Sequence, residues 1–294
     1  RELAKITLDL GDAETARRLH LEALAAIETS YGPDSPQVAE SHVWLAETLL
    51  ALGKVDEAAS HVERAKDVFG DHPDPRWAQK MSELLGHVRR AQGRLDEAAI
   101  AARKALELSI KINGKGHPGV ANQRIRLAIV LRQLNRLEES EAELVRAVAA
   151  LEKTNGKDAM VLAPALQNLA EVKLARDDCK GATPILLRTL GIIEKAAGPD
   201  HFNISFPLVS LGDCALRRGD TKAAHKRFER ALAIRDSAHR SPMEIAEVKF
   251  WLAKVARKDR HRRRAKKLAR QALKLLEGVE GGESMRREVT RWLK

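Results

Sequence analysis

The sequence predicts an all-α fold, an α-solenoid of stacked helix hairpins. Three observations predict it. One phrase recurs along the chain: LGDAETARRLHLEAL at 10–24 returns at 52–66, 92–106, 134–148, 176–190 and 218–232, and in basic form as DRHRRRAKKLARQAL at 259–273. The turn residues that anchor these copies are Gly11, Gly53, Gly93, Asn135, Asp177, Gly219 and Arg260, at intervals of 42, 40, 42, 42, 42 and 41 residues. A fixed period of this size is the mark of a repeat array. The apolar residues are mostly Ala and Leu, few are β-branched, and only 10 Pro interrupt 294 residues, which favours helix throughout.

Each repeat reads as two helices around its anchor. Five residues after the anchor stands a small residue: Ala16, Ala58, Ala98, Ser140, Ala182, Ala224 or Ala265. Twelve after it comes Ala23, Ala65, Ala105, Ala147, Thr189, Ala231 or Ala272. Small side chains let two helices approach closely. Eight before the anchor stands Leu45, Leu85, Leu127, Leu169, Leu211 or Leu252, followed by Ala46, Gly86, Ala128, Ala170, Gly212 or Ala253, which suits the crossing point of the first helix. Gly and Asn anchors readily take left-handed backbone angles, as a tight interhelical turn needs. Asp177 and Arg260 fit less well, so differently shaped turns are expected there. The fifth copy is the most degenerate, and Pro184 early in its second helix predicts a local kink.

Loops rich in Pro and Gly separate the units, among them YGPDSP at 31–36, NGKGHP at 113–118 and GPDHF at 198–202. The expected units are 1–30, 36–72, 76–112, 118–154, 160–197, 202–238 and 243–277, with a capping segment at 278–294. The spacing supports no sheet and no domain linker, so 1–294 is expected to be a single solenoid.

The LG…GRxDEAxxxxxxAL phrase resembles the tetratricopeptide repeat, and the 42-residue spacing with GPDxP loops resembles its kinesin light chain-like variety. The resemblance implies a right-handed superhelix whose first helices line a concave wall, and a module that binds peptides or partner proteins. The stretch FWLAKVARKDRHRRRAKKLARQALKLLEG, followed by VTRWLK, is more loosely similar to the carboxy-terminal repeats attached to myxobacterial-type serine/threonine protein kinases. That implies part of a larger bacterial signalling protein. HRD and DFG motifs and a glycine-rich nucleotide loop do not occur in these 294 residues. The chain begins at Arg1 within a helical pattern, as an excised piece would, so a targeting signal or catalytic domain could lie outside it.

If the repeats stack as the resemblance implies, the wall presents Trp44 and Glu47, then His87 and Arg90, then Asn122, Arg126, Arg132 and Gln133. Gln167, Asn168, Glu171 and Asp213 continue it. A mixture of amides, charges and apolar surface is what an extended peptide needs, because side-chain amides satisfy its backbone while apolar steps take its side chains. Asn168 attracts particular interest, since amides near this position grip peptide backbone in similar families. The alternative is that these are ordinary solvated helix residues.

The net charge of +11 is local: Lys254 to Arg270 carries ten Lys or Arg against Asp259, which supplies +9. Arg257, Lys258, Arg260, Arg262, Arg263, Arg264, Lys266 and Lys267 form this basic patch. It fits a solvated cap or a contact with an acidic partner. Nucleic acid or an anionic surface is the weaker reading, because no aromatic residue interleaves the charges for base stacking. A third class, structural oligomerisation or intramolecular docking, stays open.

Chemistry is poorly represented. The ten His are scattered, with His72, His117 and His201 in loops and His239 and His261 isolated, and no metal-ligand spacing such as HExxH appears. Cys179 and Cys214 lack a paired motif and read as reduced, packed thiols of a cytoplasmic protein. No window approaches about 18 uncharged apolar residues, so no membrane span is expected. The segment is read as non-enzymatic, with no cofactor and no metal, binding a protein or extended peptide.

Overall fold

The computed structural model describes residues 2–70, 74–238, 241–279 and 281–294, so His72 and His239 lie outside the described residues. All regular structure among those residues is helical. The helices are α1 (Glu2–Asp9), α2 (Ala13–Tyr31), α3 (Pro36–Ala51), α4 (Val55–Phe69), α5 (Pro75–Ala91), α6 (Leu95–Asn113), α7 (Pro118–Gln133) and α8 (Leu137–Asn155). They continue as α9 (Ala163–Ala175), α10 (Cys179–Ala197), α11 (Ser205–Arg217), α12 (Thr221–Ser237), α13 (Pro242–Lys258), α14 (Arg262–Leu275) and α15 (Glu283–Leu293). Short 3-10 turns at Met160–Leu162 and Phe202–Ile204 lead into α9 and α11. The chain forms two compact units, Arg1–Ala150 and Leu151–Lys294, each an α-solenoid of helix hairpins.

The turn inside each hairpin follows from its anchor. All seven anchors have positive φ: 89° at Gly11, 76° at Gly53, 75° at Gly93, 59° at Asn135, 60° at Asp177, 86° at Gly219 and 64° at Arg260. In each turn the next N–H reaches back five residues, as in Lys54 to the Leu49 carbonyl at 2.9 Å and His261 to the Ala256 carbonyl at 2.8 Å. Asp178 donates to the Lys173 carbonyl at 2.9 Å in the same way. The turns at Asp177 and Arg260 therefore have the common shape, contrary to the sequence expectation. Backbone bonds that satisfy the last carbonyls of the first helix outweigh a left-handed cost of about 1–2 kcal/mol.

At the position of the predicted kink, α10 runs unbroken from Cys179 to Ala197 with Pro184 inside it. The amide that proline lacks would have met the carbonyl of Lys180, an exposed residue whose carbonyl water can serve.

The hairpins close on the small residues. Ala16, Ala58, Ala98, Ser140, Ala182 and Ala224 are fully buried, and Ala265 is 2% exposed. Ser140 keeps its hydroxyl satisfied by donating to the Ala128 carbonyl at 2.7 Å. Leu45, Leu127, Leu211 and Leu252 are buried opposite, each side chain contributing roughly 1.5–3 kcal/mol. Every second helix from α2 to α6 and from α10 to α12 also packs on the first helix of the following hairpin. In the Leu151–Lys294 unit, fully buried Arg235 is satisfied by Glu247 at 2.8 Å, the Glu244 carbonyl at 2.6 Å and the Ser205 hydroxyl at 3.2 Å. There α15 covers α13 and α14, with Val289 buried among Phe250, Ala253, Ala269 and Leu276.

Candidate functional site

In the Arg1–Ala150 unit the first helices α3, α5 and α7 carry one connected polar chain. Lys80 on α5 donates to Glu47 on α3 at 2.6 Å and sits 5.6 Å from the ring centroid of Trp44. Trp44 in turn meets Trp77 edge to face at 5.9 Å. One turn along α5, Glu83 accepts from Gln123 Nε2 on α7 at 2.6 Å and pairs with Arg126 at 3.2 Å. Arg126 Nη1 also donates to His87 Nε2.

Beside this chain lies a cavity of about 230 Å³, lined by Glu83, Gly86, His87, Arg90, Ala102, Gln123, Arg126, Ile129 and Val130. Side-chain volume explains it. Seven residues before each anchor stands a small residue on the first helix, and nine after it a residue on the second helix. These pairs read Ala46 with Val62, Gly86 with Ala102, Ala128 with Leu144, Ala170 with Leu186, Gly212 with Phe228, and Ala253 with Ala269. Both neighbouring hairpins set a larger residue, Val62 or Leu144, whereas this one sets Ala102 beside Gly86; at the chain's end the small pair Ala253 and Ala269 is covered by Val289 of α15. A Cβ on Gly86 would lie 3.6 Å from the backbone N of Ala102, in ordinary contact, so one more carbon fits there without crowding.

The cavity is polar on one wall and positive on balance. Burial works to raise the Glu83 carboxyl, but Arg126, Lys80 and the Gln123 hydrogen bond outweigh it and hold it below its ordinary value. Burial, then the Arg126 guanidinium, press His87 down to about 4. A neutral imidazole accepting at Nε2 carries its proton on Nδ1. Arg90 is held below its ordinary value by burial and by Arg126, and it makes no hydrogen bond or ion pair with any described residue. An unpaired guanidinium at the edge of a cavity suits an incoming oxygen acceptor.

Of the residues expected on the wall, His87, Arg90 and Arg126 meet at this cavity, and Trp44 and Glu47 join them through Lys80. Asn122 and Gln133 are exposed and, like half-buried Arg132, do not line it. In the Leu151–Lys294 unit the amide nitrogens are already engaged, while the buried Gln167 Oε1 has no hydrogen-bond partner among the described residues. Asn168 Nδ2 donates to the Pro164 carbonyl of its own helix at 2.8 Å, and Gln167 donates to Glu171 at 3.2 Å and to Ser210 at 3.0 Å. Asp213, 8% exposed, is gripped by Arg217 at 2.7 Å, which also binds Asp177 at 2.8 Å. This carboxylate braces α11 through Arg217. Sequence reasoning passed over Gln123 and Ala102; the signal for the second was its small size at a position where neighbouring copies are large.

The tetratricopeptide repeat profile matches residues 1–71, 77–153 and 161–237, most of the chain. The chain belongs to the tetratricopeptide repeat family. No curated protein matches it. Among solved structures, this tetratricopeptide chain is similar to BtubC (BKLC) from P. vanneervenii, at 22% identity and TM-score 0.61, over 76% of this chain and 90% of that one. It is also similar to a Podosopora anserina protein described as a kinesin light chain with nearly identical TPR-like repeats, at 20% identity and TM-score 0.56, over 70% and 99%. NprR in complex with its cognate peptide NprX resembles it at 11% identity and TM-score 0.72, over 98% and 82%. At these identities the likeness is one of tetratricopeptide fold.

In the last tetratricopeptide hairpin, the basic patch has two parts. Lys258 donates to the Leu216 carbonyl at 2.6 Å, and Arg264 reaches His225 at 3.0 Å and Glu229 at 3.6 Å. Arg260, Arg262, Arg263, Lys266 and Lys267 are exposed, while Arg257 packs on Trp292 with its guanidinium carbon 4.9 Å from the ring centroid. The two cysteines, unpaired in the sequence pattern, are brought together: Cys214 Sγ donates to the Cys179 carbonyl at 3.9 Å, and both thiols are free. Burial and then Cys179 push Cys214 up to about 12. Among the described residues no three metal-ligating side chains gather, and no helix is long and apolar enough to cross a membrane.

Proposed function

We propose that this tetratricopeptide chain is a non-catalytic module that captures a protein partner through an extended segment, seating one side chain in the cavity between α5, α6 and α7. The observation that carries the reading is the unfilled Gly86–Ala102 layer, with the unpaired Arg90 at its edge and the Glu83–Gln123–Arg126–His87 cluster along its wall. A side chain entering there meets apolar surface from Ile129 and Val130 while Arg90 takes a backbone carbonyl or carboxylate. The likeness to NprR, a protein solved with its cognate peptide, supports the reading.

The near-constant spacing of the anchors supports one continuous array of seven units. The looser kinase-type resemblance of the final stretch supports a place in a larger signalling protein, acting in the cytoplasm.

A random-peptide library displayed on phage and panned on the immobilised protein tests the proposal. The selected peptides should bind with affinity that falls at least about tenfold in Arg90→Glu, a change of roughly 1.4 kcal/mol. Peptides that bind Arg90→Glu and the parent equally would place capture elsewhere.

A further inference from the structure

The end of the Leu151–Lys294 unit holds a second cavity, of about 690 Å³, lined by Arg257, Arg260, Arg262, Lys266, Trp292 and Leu293 among others. Its cations come from the last turn of α13, the αL residue of the hairpin and the first turns of α14, and α15 closes the far wall. No carboxylate side chain lines it. Of the nearby acids, Glu288 pairs with Lys254 at 3.1 Å and Glu229 with Arg264 at 3.6 Å, while exposed Asp259 faces the neighbouring hollow beside Asp220 rather than this one. The side chains of Arg260, Arg262 and Lys266 make no hydrogen bond or ion pair with any described residue. Like charges held around one open hollow repel each other, and an anion entering the hollow relieves that.

The wall also decides among anions. Trp292 is its aromatic member, but the indole is occupied: Arg257 lies over the ring at 4.9 Å and donates Nη1 to the Trp292 carbonyl at 3.2 Å, and Phe250 meets it edge to face at 5.5 Å. A ring held in this way is no platform for base stacking, which nucleic-acid grooves supply. Leu293, Ala265 and the flank of Trp292 instead give apolar surface beside the charges. A peptide uses both kinds of wall at once, with carboxylates on the guanidinium forks and an aliphatic side chain against Leu293.

We propose that this cavity is a docking site for an acidic peptide segment, a run of Asp or Glu with an apolar residue among them. The site is separate from the cavity between α5, α6 and α7, and it stands or falls independently of that one.

The test uses the whole chain and a fluorescein-labelled peptide of glutamates around one leucine, read by anisotropy at about 100 mM salt, where charges beyond roughly 10 Å are screened. Two variants remove the same number of positive charges from one hairpin. Arg260→Gln, Arg262→Gln and Lys266→Gln together remove three of the cavity's five cations and leave Arg257 and Lys294. Arg263→Gln, Lys267→Gln and Arg270→Gln together strip exposed residues outside it. The expected result is a loss of about tenfold or more in the first variant and less than about threefold in the second. Equal losses would show that net charge alone attracts the peptide, and no binding by the parent chain would also overturn the proposal. A single-stranded oligothymidylate of equal charge is the competitor. If it binds more tightly than the peptide and depends on the same three residues, the cavity takes phosphates and the assignment is wrong.

Discussion

The ring of Phe228 occupies the space that a side chain at Gly212 would need: a Cβ built on Gly212 would lie 2.6 Å from ring atom Cε1. Phe228 is fully buried and stacks on Trp251 at 5.6 Å, so it has nowhere to go. Gly212→Ala should therefore destabilise the protein by about 1–3 kcal/mol, the usual cost of overpacking. Adding Phe228→Leu should recover most of this, because it recreates the Ala170 and Leu186 pairing found in the preceding hairpin. At the matching position Gly86→Ala should instead be neutral or stabilising by up to about 1 kcal/mol, since helix propensity improves and the new Cβ meets atoms at ordinary distance. Urea unfolding of these variants checks all of them.

This pair shows what could be read in advance. Anchor spacing and the small residues five positions later follow local rules, so the hairpins, the Gly and Asn turns and the buried alanines are legible. The turns at Asp177 and Arg260 are not, because the backbone bonds that hold Asp and Arg at positive φ form only in the folded hairpin. The cavity depends on the volume of a residue facing another across two helices, Ala102 against Gly86, and no single helix shows it. The burial of Asp213 and its grip by Arg217 likewise come from the packed fold and are not visible in the repeat pattern.

Arg260 pays a left-handed backbone cost that glycine does not, at φ 64°. Arg260→Gly should raise stability by about 1 kcal/mol in thermal or urea unfolding. Asp177→Gly relieves the same strain at φ 60° but also loses the Arg217 contact at 2.8 Å, so its gain should be smaller or absent.

Three histidines, His42, His87 and His61, are held below their ordinary value chiefly by burial and make stability depend on pH, the first two most strongly. His42 is pressed down to about 4 by burial and by His61, whose Nδ1 lies 2.8 Å from its own Nδ1; His87 is likewise near 4. The unfolded chain binds these protons near the ordinary value of 6.5, whereas the folded chain resists until about 4. Stability should thus be unaffected by these groups above pH 7 and fall as pH drops below about 6.5, with the loss complete below the folded value. Melting temperatures between about pH 6.5 and 5, where few carboxylates titrate, should decline. The slope should flatten in the double variant His42→Asn, His87→Gln.

Cys214, buried and pushed up to about 12, should resist alkylation, while half-buried Cys179 is more accessible. Iodoacetamide at about pH 8 should add one label to the folded protein at early times and two after denaturation, read by intact mass. Equal early labelling of both thiols would contradict the packing at the α10–α11 junction.

The central claim is that the unfilled Gly86–Ala102 layer is a ligand seat. Ala102→Leu installs the residue that Leu144 and Leu186 supply at the same position in the two following hairpins, and so fills the space without altering charge. Calorimetric titration of a library-selected peptide into the parent and into folded Ala102→Leu tests this directly. The expected result is a loss of at least about tenfold in affinity with the thermal transition retained. Undiminished binding by the filled variant would contradict the account.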